Sequence, residues 1–94
     1  MSIEVGRTEA RILKAAVAQL IEAGDPPFSE SVITENVSPN GARIRCDYRW
    51  DVGLIVQFIL QSFQSQALVV YCERTSVKQF AVGLQFLTSR GNLI

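Results

Sequence analysis

Two short runs bring together residues that can hold an anion. The first is Arg7-Thr-Glu-Ala-Arg11, two guanidinium groups four positions apart near the N-terminus. An arginine presents a planar fork of donors that matches phosphate oxygens in pairs, and its flat face stacks on rings, so one residue type can grip both the phosphate and the base of a nucleotide. The second run is Asn36-Val-Ser-Pro-Asn-Gly41. Asn and Ser bond backbone two residues on, Pro39 presets its own φ, and Gly41 can take positive φ, so the run is first a tight turn. Asn36 and Ser38 also expose donors and acceptors on a loop tied at both ends to strands, a common way to fix binding groups in place. Each run has a plain structural reading beside the chemical one. The arginines read equally as a solvated charge pair helped by Glu4 and Glu9, and the turn needs no further role.

The elements that would position these runs are mostly strands. In Phe80-Ala-Val-Gly-Leu-Gln-Phe86 the large apolar residues fall on every second position, the spacing of a strand with one buried face. Ala42, Ile44 and Cys46 alternate with Arg43, Arg45 and Asp47, which puts the charges on the water side. Gly53–Leu60 and Gln66–Cys72 are apolar runs rich in Val, Ile, Phe and Tyr, bounded by polar turn residues. A weaker strand is expected over Phe28–Glu35, after a turn at Asp25-Pro-Pro27. Four strands at this spacing suggest an antiparallel meander or barrel. Thr8–Gly24 is ambiguous. Leu13, Val17, Leu20 and Ile21 have helical spacing, four alanines favour helix, and Gly24 before Asp-Pro-Pro reads as a helix stop. The competing strand reading places Leu13, Ala15, Val17, Gln19 and Ile21 on one face.

Composition narrows the functional classes. With 94 residues there is room for one core, whose modest burial favours a small binding module over a large enzyme. Nine Lys and Arg balance nine Asp and Glu, which argues against the basic stripe of a nonspecific nucleic-acid binder. The chain has no His, which removes the commonest general base and every Ser-His or Cys-His arrangement. Asp47 and Asp51 form a carboxylate pair in a turn with nothing to commend them as acid and base. Cys46 and Cys72, without a second pair, cannot make a four-ligand zinc site and read as reduced, strand-borne core residues. No signal peptide pattern or long apolar stretch is present, so the expected location is the cytoplasm.

In this order, with about 25 residues between them, the two runs match a known pair of motifs. The chain resembles the PilZ domain, the bacterial module that senses cyclic di-GMP, whose pattern is an N-terminal RxxxR followed by [D/N]xSxxG. Arg7, Arg11, Asn36, Ser38 and Gly41 fill every defined position. Thr34–Ile44, Trp50-Asp-Val-Gly53, Ala67–Cys72 and Phe80–Phe86 add to the likeness, which runs from about Arg7 to Asn92 and is weakest over Lys14–Ser31.

The resemblance implies an all-β, six-stranded antiparallel Greek-key barrel with no or only a minimal C-terminal helix, and hence a strand rather than a helix before Gly24. It implies a flexible segment at residues 1–11 carrying RxxxR, then one barrel domain over 12–94. Arg7 and Arg11 would bind the phosphates and a guanine of cyclic di-GMP. Asn36 and Ser38 would contact the second guanine and nearby phosphate, and Gly41 would let the backbone approach closely. Family members that bind a stacked ligand dimer often carry Arg before RxxxR; Gly6 stands there, which favours one ligand per domain. Beyond the family motif, Lys14, Arg43, Arg45 and Arg49 could extend a ligand surface, although outward strand charges are usually only solvated. Trp50 reads equally as a partner-facing aromatic or as a plug for a barrel end. The expected role is a non-enzymatic receptor and adaptor that needs no cofactor or metal, avoids nucleic acid and membrane, and signals to a protein effector. The main rival is a PilZ-like interaction module that binds no nucleotide; a helical transcription-regulator reading of Thr8–Gly24 is a distant third. The chain reads as a minimal barrel or as a piece of a longer protein.

Overall fold

The computed structural model describes residues 15–91. They form six strands: β1 (Val17–Glu22), β2 (Phe28–Ser38), β3 (Gly41–Cys46), β4 (Ile55–Leu60), β5 (Phe63–Ser76) and β6 (Gln79–Arg90). All pairings are antiparallel, and the strands close into a barrel in the order β1-β2-β3-β6-β5-β4. Hairpins join β4, β5 and β6, while β3 lies beside β6 rather than beside the strand that follows it, which is Greek-key connectivity. Closure removes the exposed sheet edge that an open six-stranded sheet would carry. No helix occurs among the described residues.

Alternation decides which faces are buried. Val32, Ile44, Phe58, Val69 and Val82 point inward from five different strands and are essentially without solvent contact. Phe58, Phe63 and Phe86 pack with ring centroids 5.1–6.3 Å apart in the same core. The predicted alternation of Ala42, Ile44 and Cys46 against Arg43 and Arg45 is the one observed.

The helical spacing before Gly24 does not produce a helix in its described part. Residues 17–22 are strand β1, wedged between β2 and β4, where Leu20 is fully buried. Helix propensities differ by only about 0.7 kcal/mol per ordinary residue, so closing the barrel outweighs alanine preference. The face is also the opposite of the one the strand reading selects: Ala18 and Leu20 point inward, while Val17, Gln19 and Ile21 do not belong to the buried core. Pairing fixes this choice, because Gln19 stands opposite Ser31 and donates to its hydroxyl at 2.8 Å on the outer surface. Leu13 lies outside the described residues. β2, β5 and β6 all run beyond their expected ends, with tight turns at Pro39-Asn40, Gln61-Ser62 and Val77-Lys78 replacing longer loops.

The connection from β3 to β4 covers one end of the barrel, and Trp50 is the plug, only 2% exposed. Its indole N–H donates to Glu30 Oε1 at 2.8 Å, and the Asp47 amide donates to Oε2 of the same carboxylate at 2.7 Å. One buried carboxylate on β2 therefore pins two points of the crossing. Phe28 completes the cap by packing on Trp50 and Tyr48, each at 5.4 Å. Glu30→Leu keeps the bulk but leaves two donors unpaired, and is expected to cost about 3 kcal/mol and to lower the melting temperature by on the order of 10 °C or more. Trp50 is the sole tryptophan, so its fluorescence follows the transition directly; an unchanged midpoint would show that the carboxylate holds nothing.

Cys46 and Cys72 are free thiols on β3 and β5, the two strands that flank β6; Cys46 belongs to the buried core and Cys72 packs against it. The Cys46 thiol donates to the Tyr48 carbonyl at 3.2 Å, and burial pushes its pKa up to about 12, reinforced by the negative charge of Glu30. The unfolded thiol ionises near its ordinary value while the folded one does not. The contribution of this thiol to stability is therefore full below about pH 9 and is lost as pH rises toward 12. Melting curves across that range should show a pH-dependent loss in the wild type that is smaller in Cys46→Ala. Alkylation at pH 8 should label Cys72 ahead of Cys46; equal rates would contradict the burial argument.

Candidate functional site

The turn between β2 and β3 is built from the Asn36–Gly41 run. Ser38 pairs with Gly41, so Asn36 and Ser38 are the closing residues of β2 and not members of a loop; Pro39 and Asn40 alone make the turn. The Ser38 hydroxyl accepts the Asn40 amide at 3.3 Å and donates to the Gly41 carbonyl at 3.4 Å, closing the turn from within. The Phe86 amide donates to the Asn40 carbonyl at 2.8 Å, which straps the turn to β6. Gly41 is required for close approach and not for positive φ, which occurs at Gly53 and Gly91 instead. A Cβ at Gly41 would run into the backbone carbonyl of Leu84.

A bulge shapes the outer face of β2. Thr34 pairs with Ile44 and Asn36 with Arg43, so Glu35 is the extra residue, and Glu35 and Asn36 both face solvent. The bulge returns Val37 to the core and aims Asn36 and Arg43 outward side by side. A shallow depression of about 330 Å³ results, lined by Asn36, Ser38, Asn40, Gly41, Ala42 and Arg43 with Leu84 and Gln85 of β6. Three of the five residues marked by the sequence thus meet on one surface. Arg7 and Arg11 lie outside the described residues, as does the whole 1–11 segment.

The path of the chain into the barrel bears on those two arginines. Ala16 and Thr34 exchange backbone and hydroxyl bonds: the Thr34 amide donates to the Ala16 carbonyl at 2.8 Å, and the Ala16 amide donates to Thr34 Oγ1 at 3.1 Å. The chain therefore enters β1 beside Thr34, two residues from Asn36.

Arg43 is the cation at the rim. Its Nε donates to Glu35 Oε1 at 2.9 Å, its NH1 donates to the Tyr71 hydroxyl at 2.8 Å, and its guanidinium lies 5.7 Å from the Tyr71 ring centre. The Glu35 bond, then that of Tyr71, raises its pKa above the ordinary arginine value. Tyr71 reaches this position because Gly83, opposite it on β6, has no side chain; a Cβ there would occupy the ring. Sequence reasoning found Arg43 only as one of several outward charges and did not find Tyr71. Alternation gave Arg43 its direction, whereas Tyr71 depends on a β5 bulge at Val70 that no local pattern marks. With amide, hydroxyl and guanidinium groups around a shallow surface strapped on both sides, the depression can bind a polar anion through several oriented hydrogen bonds.

No curated protein and no solved structure matches the sequence. The sequence model of the PilZ domain matches residues 6–93, nearly the whole chain, and covers both motif runs. The described residues form the closed six-stranded barrel, and the chain belongs to the PilZ domain family.

Proposed function

We infer that this barrel is a cyclic di-GMP receptor that acts as an adaptor. PilZ domains as a family bind this dinucleotide and transform nothing, and the family match extends over the N-terminal run as well as the barrel. The observation that supports the reading most is positional: Asn36, Ser38 and Gly41 line one depression, and the chain bearing RxxxR enters the barrel beside Thr34, next to that depression. In this reading Asn36 and Ser38 hold one guanine and a nearby phosphate, while Arg7 and Arg11 grip the phosphates and the other guanine from the N-terminal side. Ligand then draws residues 1–11 onto the barrel face and creates a surface that a protein effector in the bacterial cytoplasm reads.

Calorimetric titration of the chain with cyclic di-GMP, beside cyclic di-AMP, tests the reading. Saturable heat with the guanine ligand alone is expected. No heat at about 100 μM of either, well above the affinity this many charged contacts implies, would reject it in favour of an interaction module without nucleotide.

A further inference from the structure

We propose that Arg43 is a third cationic contact for the ligand phosphate, and that Glu35, the bulged residue of β2, is its built-in competitor and sets the ligand concentration at which the receptor fills. The proposal rests on the cyclic di-GMP reading and deepens it. Arg43 lines the depression with Asn36 and Ser38 and lies outside both motif runs. It is held there by Glu35 and Tyr71, with Glu73 a further 3.8 Å contact. Glu35 grips a second arginine as well: Arg45 NH1 donates to Oε2 at 3.2 Å, so one carboxylate bridges two guanidinium groups on the same outer face.

The bulge is what makes this arrangement. Without the extra residue Glu35 would alternate with Thr34 and Asn36, and only one of Glu35 and Asn36 could face outward. With it, the carboxylate that quenches Arg43 and the amide that faces the ligand stand next to each other. The ion pairs are open to water, with side-chain exposures of 38% for Arg43, 41% for Arg45 and 31% for Glu35. Pairs this exposed hold weakly, and a guanidinium carries five N–H donors, more than Glu35 and Tyr71 engage. A phosphate can therefore take a place in the fork of Arg43 while the carboxylate swings away or tolerates it as a neighbour. In either case the negative charge of Glu35 opposes the anion, and binding is weaker than the arginines alone would make it. Tyr71 keeps the guanidinium over the depression during the exchange.

The test is a set of titrations with cyclic di-GMP on the wild type, Glu35→Gln, Arg43→Gln and the double variant, each checked by its melting curve. Glu35→Gln should tighten binding by about fivefold and Arg43→Gln weaken it by about tenfold. In the double variant the gain from Glu35→Gln should disappear, since there is no longer a guanidinium to release. Unchanged affinity in Arg43→Gln would overturn the contact. Weaker binding in Glu35→Gln would overturn the competition and make Glu35 a positioning residue for Arg43. Failure of the wild type itself to bind would remove the receptor reading, and this inference with it.

Discussion

Arg11→Ala should weaken cyclic di-GMP binding by roughly ten- to a hundredfold while leaving the melting temperature of the barrel unchanged. A charge-assisted hydrogen bond contributes about 1.5–3 kcal/mol where its partner is an ionised phosphate, and each 1.4 kcal/mol is a factor of ten. Stability should be insulated: among the described residues the buried core begins at Ala18 and the first strand at Val17. The split between the two readouts is the informative part. A residue that merely solvates the N-terminus would change neither, and one that packs on the barrel would change both. Calorimetry beside a thermal melt separates the three cases, and Arg7→Ala should follow the same pattern.

Gly41→Ala is expected to damage fold and site together. The added methyl group would meet the Leu84 carbonyl, a backbone atom that cannot rotate away, at the point where β3 pairs with β6 to close the barrel. The strands must separate there, and overpacking of this kind costs about 1–3 kcal/mol, which for a chain this size lowers the melting temperature by on the order of 10 °C. The same separation pulls Leu84 and Gln85 away from Asn36 and Ser38, so affinity should fall at least tenfold. Gly53→Ala is the control. Gly53 has φ +97° with open space around it and lies outside the depression, so its substitution should cost stability through backbone strain without changing affinity. Equal affinity losses in the two variants would mean that Gly41 acts only through global stability.

Much of this was written locally in the sequence. The strict alternation over β3 and over Phe80–Phe86 of β6 set both their inward faces and the outward aim of Arg43, and Asn36–Gly41 marked the hairpin. The failures share one cause. Residues 17–22 were ambiguous because their spacing suits both periods, and only pairing with β2 and β4 decides it. The same non-local logic hid the bulge at Glu35, the pairing of Ser38 with Gly41 that puts Asn36 and Ser38 in the end of a strand and not in a loop, and the contact of Tyr71 with Arg43 across β6. Gly41 was identified for the wrong reason: its need comes from a carbonyl far along the chain, not from its own dihedral angle. Glu30 and Trp50, which meet through a buried hydrogen bond across twenty residues, carry no periodic signal of their partnership at all.

The claim that the β2–β3 depression is the ligand surface is tested most directly by a ¹H–¹⁵N correlation spectrum of the chain titrated with cyclic di-GMP. Backbone amides of Asn36, Ser38, Asn40, Gly41 and Arg43, with Leu84 and Gln85 across the strand pair, should shift together and saturate at one ligand per chain. Those of Gln57 and Gln66, which line a separate depression on β4 and β5, should stay in place. Shifts centred on Gln57 and Gln66, or a spectrum unchanged at saturating ligand, would contradict the account.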